Sequence, residues 1–272
     1  MFLPRRYMSV RSYLRGDPAL EVCYPLSNYS GVDVSGKGKH GTLANTSPGQ
    51  GKCGREGGLW CPAAGTSDNY VHTPLSTTIQ EFTCGGWVHL LPLAGGGEPH
   101  VLWNKEQLNP TAYTKFPFFI NVSRSPGGSI SVSLDSGNDY SADHSLGWSG
   151  PLWERWLFYC FTRKNPDNAL YIDQQLVATS SWYGTLSAGT GINYRIGSTT
   201  YYNVHRMMKG YIGEHFFLLR ALSPGEVLAL YRASAGRYRN SMVLPQAVAP
   251  SAPTGVTASR GDSKNIVSWA WG

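Results

Sequence analysis

Charged residues are scarce in this chain of 272 residues, at 15% against the usual share of about a quarter. Long solvent-exposed helices carry many Glu, Lys and Arg side chains, so this scarcity disfavours helical bundles and coiled coils. No apolar run approaches the ~18 residues that a membrane-spanning helix needs. No internal repeat of ~20–50 residues indicates a solenoid or a propeller. We therefore expect neither membrane insertion nor a helical architecture.

Motifs for the common chemistries are also missing. The chain contains no His-Glu-x-x-His, Gly-x-Ser-x-Gly or P-loop sequence, and no Cys/His spacing typical of zinc. The paired carboxylates that a glycosidase needs on one face are not presented as Glu-x-Asp-x-x-Glu on any strand. A Gly-x-Gly-x-x-Gly match at residues 36–41 lacks the following helix that a dinucleotide site requires. The sequence predicts no enzymatic activity and no cofactor.

Acidic residues are few, at 17 against 23 Lys and Arg, which gives a net charge of +6. Part of the excess lies before the first acid, Asp17, in four arginines: Arg5, Arg6, Arg11 and Arg15. The basic residues form no continuous stripe with aromatic residues, so we expect no nucleic-acid partner. The N-terminus has no apolar h-region, so we expect synthesis in the cytoplasm without a signal peptide.

Glycine, proline and aromatic residues are abundant, with 32 Gly, 17 Pro, 16 Tyr and 9 Trp. Turn clusters of Gly and Pro separate short runs in which apolar and polar residues alternate, most cleanly at Ser129–Leu134. Such alternation is typical of half-buried antiparallel strands. One helix is predicted after a capping box at residues 223–226, and Gly236 is expected to end it.

These patterns divide the chain into four parts. Residues 1–18 are expected to form a basic, irregular arm, and residues 19–236 a β-rich domain. The Pro- and Ala-rich stretch 237–253 is typical of an extended linker. Residues 254–272 are too few for a domain and read as a strand-like stub.

Four stretches in the same order resemble the concanavalin A-like, laminin G-like jelly-roll family. They are residues 24–26 with 33–43, residues 82–88, residues 156–161 with 170–173, and residues 210–214 with 220–231. The resemblance implies an all-β, two-sheet antiparallel jelly-roll sandwich with one short C-terminal helix and extended terminal tails. It also implies that the first and last strands pair, which places Glu214 near the loop of Asp33.

The resemblance further implies a structural calcium ion near that loop in many members, with Asp33 and Glu214 as the ligands here. The family usually has an aspartate where this chain has Gly213. The loss of one carboxylate argues against calcium. The C-terminal stub resembles the first strand of a fibronectin type III domain, which predicts a strand that has no sheet of its own.

Five cysteines are an odd number, so intramolecular pairing cannot use all of them. Cys23, Cys84 and Cys160 lie in strand-like runs, where buried free thiols are expected. Cys53 and Cys61 flank a Gly-rich loop. The sequence leaves open whether these two form a disulfide.

Aromatic residues in or near loops are the candidate ligand contacts, because exposed aromatic rings stack on sugar faces and anchor protein interfaces. The candidates are Trp103, Tyr113, Trp182, Tyr183, Tyr201 and Tyr202. Packing inside the sandwich is the alternative role for each of them.

Three functions compete. The first is a non-catalytic phage virion component, a capsid decoration or tail protein with a lectin-like domain at the particle surface. The second is a carbohydrate-binding adhesin module, and the third is a glycosidase of concanavalin A-like fold. In the first hypothesis the partners are other particle proteins and further copies of the chain, with glycan as a ligand. Two tail segments would make the assembly contacts, through the four N-terminal arginines and through Ile266, Val267 and Trp269.

Overall fold

The computed structural model describes residues 9–26, 30–44, 46–48, 59–61, 70–75, 80–92, 100–107, 115–123, 128–134, 144–186, 192–201, 204–239, 257–261 and 264–268. Within them it has two helices, α1 (Val10–Leu14) and α2 (Pro224–Arg239). The strands are β1 (Leu20–Tyr24), β2 (Thr42–Ala44), β3 (Ser47–Pro48), β4 (Leu59–Cys61), β5 (Tyr70–Thr73), β6 (Glu81–Leu90), β7 (His100–Gln107), β8 (Lys115–Ser123), β9 (Ser129–Leu134), β10 (His144–Ser149), β11 (Trp156–Lys164), β12 (Asp167–Ile172), β13 (Gln175–Ser181), β14 (Ile192–Ile196), β15 (Ser198–Tyr201), β16 (Val204–Met207), β17 (Gly210–Leu218), β18 (Thr257–Gly261) and β19 (Lys264–Ser268).

Two antiparallel sheets form the sandwich. The first has the order β13-β12-β11-β6-β17-β4-β3, with β1 also paired to β17, and the second has the order β10-β9-β8-β7-β14-β5-β2. Tyr24 of β1 lies opposite His215 of β17, so the first long strand pairs with the last. The predicted all-β jelly-roll sandwich is confirmed, as is the pairing of its ends.

The core between the sheets is aromatic. Phe82 stacks on Phe217 at 5.3 Å between ring centroids, and it meets the edge of Phe118 at 5.1 Å. In β9 the inward residues Ile130 and Val132 are buried, while their neighbours along the strand are partly exposed. This pattern confirms the alternation that predicted the strand.

A second apolar cluster covers the outer face of the first sheet, beneath both helices. Trp87 of β6 stacks on Tyr238 of α2 at 4.5 Å and packs against Phe158 at 5.3 Å. Its indole N–H donates to Ser234 Oγ at 3.0 Å. The sheet therefore has an apolar layer on each side, which explains the long apolar runs in its central strands.

Helix α2 begins with the predicted capping box. The N–H of Ser223 donates to Glu226 Oε2 at 2.8 Å, and the N–H of Glu226 donates back to Ser223 Oγ at 3.3 Å. The predicted end at Gly236 is wrong, since the helix continues to Arg239. The additional turn places Tyr238 over Trp87, and this packing outweighs the low helix propensity of glycine.

The N-terminal segment is not an irregular arm from Ser9 onward. Ser9 Oγ accepts the N–H of Ser12 at 3.1 Å and caps α1. Val10 and Leu14 are buried in the outer cluster. Both Arg11 and Arg15 are exposed on the segment. Two of the four predicted contact arginines, Arg5 and Arg6, lie outside the described residues.

The C-terminal stub is a hairpin rather than a lone strand. β19 pairs antiparallel with β18, with Ser259 opposite Ile266 and Ala258 opposite Val267. A strand without a sheet was the wrong prediction, because the stub supplies its own pairing partner. Trp269 lies outside the described residues.

Four cysteines are buried free thiols, namely Cys23, Cys61, Cys84 and Cys160. The prediction is therefore confirmed for the three thiols in strands. Cys53, the residue whose pairing with Cys61 the sequence left open, lies outside the described residues. Burial raises the pKa of the Cys61 thiol to about 12, so it stays protonated at neutral pH. Neither helix of the described chain has the length and apolarity needed to cross a membrane.

Candidate functional site

Asp33 organises the loop after β1. Its Oδ1 accepts the N–H groups of Cys23 and Ser35, both at 2.9 Å. Its Oδ2 accepts the hydroxyl of Ser35 at 2.7 Å and the N–H of Lys39 at 3.1 Å. The side chain is buried, so both carboxylate oxygens are committed to donors of the protein itself.

Glu214 is also satisfied by the protein. Its Oε1 accepts Nη1 of Arg237 at 2.8 Å, and its Oε2 accepts the N–H of Val10 at 3.1 Å. The residue is 1% exposed. Burial raises the pKa of the Glu214 carboxyl to about 7, against the opposing hydrogen bond from Val10. The carboxylate joins β17 to both helices.

Gly213 makes room for α2. A side-chain Cβ at this position would lie 2.8 Å from the Tyr238 ring, which is too close for an ordinary contact. The Tyr238 hydroxyl instead accepts the N–H of Glu214 at 2.9 Å. Among the described residues, no three His, Cys, Asp or Glu side chains are grouped closely enough to hold a metal ion. Asp33 and Glu214 therefore both have structural roles, in holding the loop after β1 and in joining β17 to the helices.

We expect calcium chelation to leave the melting temperature nearly unchanged, because protein donors occupy both candidate carboxylates. A calcium ion present at a concentration of about 100 times its Kd would add about 3 kcal/mol to the free energy of unfolding. Its removal would lower the melting temperature by several degrees. Thermal unfolding with and without EDTA, followed by circular dichroism, makes the comparison. A drop of several degrees that added calcium restores would contradict this assignment.

Trp103 is a core residue and not a surface ligand contact. It is fully buried in the second sheet, where it packs against Phe217 at 5.9 Å and Tyr194 at 6.4 Å between ring centroids. The hairpin of β15 and β16 contacts the same strand, β7. The candidate role of Trp103 in ligand binding is therefore wrong.

Trp182 follows β13 at the edge of the sandwich and closes the gap between the two sheets. The guanidinium of Arg163, from β11, lies 4.8 Å from its ring centroid. The ring of His144, from the edge strand β10, lies nearly parallel to it at 6.2 Å. Trp182 is partly buried against the core. Its ring is thus held between groups of both sheets.

The segment 182–186 is fixed to the sandwich along its length. The N–H of Trp182 donates to the Pro166 carbonyl at 2.8 Å, and Arg163 Nη2 donates to the Gly184 carbonyl at 2.6 Å. At the far end, the Leu186 backbone exchanges two hydrogen bonds with the Gln80 side chain, each at 3.1 Å. A Cβ at Gly184 would collide with the Trp182 ring, so this tight course requires glycine.

Tyr183 stands out from this fixed segment. Its side chain is 81% exposed, the highest value among the large apolar side chains that the structure describes as exposed. Ser181 and Asp167, a cross-strand pair just before it, are exposed and joined by a 3.3 Å hydrogen bond between their side chains. The edge therefore presents an exposed aromatic ring on a fixed segment, two residues after a hydroxyl group that is paired with a carboxylate. We call Asp167, Ser181 and Tyr183 the Tyr183 edge.

The three aromatic candidates whose side chains the structure describes do not form one site, because Trp103 lies in the core. Trp182 and Tyr183 are adjacent, whereas Tyr201 ends β15, a strand that follows β14. In the second sheet β14 is separated from β10, the strand beside Trp182, by β7, β8 and β9. The Tyr201 side chain, Tyr113 and Tyr202 lie outside what the structure describes.

Sequence reasoning missed the groups that hold Trp182. Arg163 precedes Lys164 at a strand end and reads as a surface residue, yet it is fully buried. It donates to Asn168 Oδ1 at 2.9 Å, and burial lowers its pKa. Alternation along β11 could have indicated that Arg163 is buried, because Tyr159, Phe161 and Arg163 lie on the same inward face of the strand. His144 carried no comparable signal.

Comparison with known families supports this architecture. Residues 64–228, more than half of the chain, match the family model described as the concanavalin A-like lectin/glucanases superfamily. The chain belongs to this superfamily. The concanavalin A-like resemblance found in the sequence is thereby confirmed, and the sandwich described above is its lectin-like jelly roll. A comparison with curated proteins gave no match.

Solved structures with the same fold include binding domains. The botulinum neurotoxin serotype D binding domain matches with a TM-score of 0.57 and 14% identity, over 78% of this chain and 51% of that one. Domain 4 of AbnA, a GH43 extracellular arabinanase from Geobacillus stearothermophilus, in complex with arabinotriose, matches with a TM-score of 0.53 and 14% identity, over 78% and 98%. This concanavalin A-like chain spans about half the length of the neurotoxin domain. At these identities the likeness shows the fold alone.

Proposed function

We propose that the chain is a non-catalytic carbohydrate-binding protein and that the Tyr183 edge contacts the sugar. The observation that carries the proposal is the exposed ring of Tyr183 on a segment held by hydrogen bonds at both ends. Pyranose rings have apolar C–H faces, and an exposed aromatic ring gives such a face a partner. Asp167 and Ser181, already joined by their own hydrogen bond, offer further acceptor oxygens for hydroxyl groups of a sugar.

Rigidity of the segment supports this role. A loop that is already ordered loses little conformational entropy when a ligand binds. The Trp182 ring, held between Arg163 and His144, fixes the residue next to Tyr183. Supporting groups that pack against one another and expose a single ring give the arrangement that a preorganised binding site requires.

Protein donors already occupy four of the described carboxylates, which favours binding over catalysis at those positions. Asp33 and Glu214 are held by loop and helix donors, and Asp173 Oδ2 accepts Arg155 Nη1 at 2.8 Å. Asp167, on the Tyr183 edge, contacts Ser181. A glycosidase needs two carboxyl groups about 5–10 Å apart that face one bond of the substrate.

A glycan array probed with the whole chain tests the proposal. We expect selective binding to one group of glycans, and no release of reducing sugar from those same glycans. Failure to bind any glycan would contradict the proposed function. Release of reducing sugar that a single Asp or Glu substitution abolishes would favour the glycosidase alternative.

We further propose that the chain is a virion component, a capsid decoration or tail protein, which displays the lectin-like domain and is held by its ends. Arg11 and Arg15 are exposed on the N-terminal segment, where they can form charge-assisted hydrogen bonds with an acidic neighbour. The β18–β19 hairpin is a separate two-stranded sheet with edges that another sheet can extend. Deleting residues 240–272 is expected to reduce particle incorporation and oligomer mass. Unchanged incorporation by this truncation and by an Arg11→Gln, Arg15→Gln double variant would contradict the proposal.

A further inference from the structure

A cleft of about 350 Å3 opens between α1, the loop after β1, β17 and α2. Its polar lining comes from Arg11, Glu214 and Arg237, together with the hydroxyl-bearing Ser9 and Ser30. The volume is within the range of small-molecule pockets. Strands β12, β11 and β6 separate β17 from the edge strand β13, so the cleft is distinct from the proposed sugar surface.

Two arginines and one glutamate line the cleft, so one positive charge has no counter-charge in the lining. Arg237 is paired with the buried Glu214 carboxylate at 2.8 Å. Arg11 is exposed and has no ion-pair partner among the described residues. Its planar guanidinium presents several donors in a fork that matches the two oxygens of a carboxylate. The polar part of the lining is therefore suited to one monovalent carboxylate.

The rest of the lining is aliphatic. It is formed by Pro25, Leu26, Val32 and Val34, and Val32 is 49% exposed. Leu26 is buried and has a φ of 53°, in the left-handed region that non-glycine residues rarely adopt. Such strain persists only where the surroundings hold the residue, often at ligand-binding sites. This aliphatic part of the lining can pack against a short branched alkyl chain.

We propose that this cleft binds a small carboxylate that carries an aliphatic group. The carboxylate pairs with Arg11, and the alkyl part lies against Val32 and Val34. This chemistry is shared by free aliphatic acids and by the C-terminus of a peptide that ends in an aliphatic residue. The site adds a second ligand to the proposed sugar-binding function and does not depend on it.

Calorimetric titration of the whole chain tests the site with two acids, 4-methylpentanoate and N-acetylleucine, and with the primary amide of each. We expect each amide to bind about tenfold or more weakly than its acid, because it lacks the charge that Arg11 recognises. The acid that binds more tightly distinguishes the free acid from the peptide terminus. Equal affinity of acids and amides, or no binding by either acid, would overturn the proposal.

Matched variants separate recognition from folding. Arg11→Gln is expected to weaken acid binding about tenfold and to leave amide binding unchanged. Arg15→Gln is the control, because Arg15 is exposed on the same segment and does not line the cleft. Glu214→Gln is expected to strengthen acid binding at pH 8, since it removes the internal competitor for Arg237. Equal losses in the two arginine variants, or weaker acid binding in a folded Glu214→Gln protein, would contradict the assignment.

Discussion

Replacing Arg237 with methionine is expected to lower the free energy of unfolding by about 3 kcal/mol at pH 8, and by clearly less at pH 6. Glu214 is almost fully buried, and the guanidinium of Arg237 is 2.8 Å from its Oε1. Removal of one partner leaves the other charge buried without compensation. Methionine keeps much of the apolar stem of arginine, so the variant isolates the loss of charge.

The pH dependence follows from the raised pKa of Glu214. Burial moves this pKa from 4.5 to about 7, so between these values the folded chain holds a proton that the unfolded chain has released. Stability therefore falls as the pH rises from about 4.5 to about 7, and the loss is complete above that range. In the Arg237→Met variant we expect the pKa of Glu214 to rise further, so the free energy of unfolding continues to fall at higher pH. At pH 6 the carboxyl is mostly protonated in both proteins, so the difference between them shrinks.

Urea unfolding at the two pH values, followed by tryptophan fluorescence, measures the effect. Arg232→Met is the matched control, because Arg232 is exposed on the same helix and its loss should change stability by less than about 0.5 kcal/mol. An Arg237→Met cost that is equal at pH 6 and pH 8 would show that Glu214 does not carry the buried charge.

Trp103→Ala is expected to cost about 3–5 kcal/mol of unfolding free energy, because it removes a fully buried indole and leaves a cavity in the core. Sugar binding by the fraction that remains folded should be unaffected. Tyr183→Ala is the comparison, since truncating a side chain that is 81% exposed should cost little stability. Denaturant titrations of both variants measure the costs. A stable Trp103→Ala protein that no longer bound sugar would show that Trp103 belongs to the ligand site.

Patterns that depend on neighbouring residues predicted structure well. The capping box at Ser223 and Glu226 begins α2, and alternation located β9, because each signal is set by local hydrogen bonding or by the two-residue period of a strand. Burial that is decided by contacts between distant parts of the chain was predicted poorly. Trp103 lies in a strand covered on both faces, so its run shows no alternation that would mark it as core.

The N-terminal helix was missed for a different reason. Val10, Tyr13 and Leu14 have the spacing of one helix face, but α1 is a single turn or so and is stabilised by packing and by Glu214, which lies 204 residues away from Val10. The candidate site was predicted only in part. Exposure of Tyr183 follows from how Arg163, His144 and Gly184 fix the segment, and these contacts join three separate parts of the chain.

Glycan affinity of Tyr183→Ala, compared with that of Leu176→Ala, tests the central proposal most directly. Leu176 lies on β13, the edge strand that precedes Tyr183, and is 51% exposed. Its truncation therefore controls for the loss of exposed apolar surface at this edge of the sheet. We expect Tyr183→Ala to weaken binding of the glycan found on the array by about tenfold or more. Leu176→Ala should bind as the native chain does. Native affinity in Tyr183→Ala, or an equal loss in both variants, would contradict a sugar site at the Tyr183 edge.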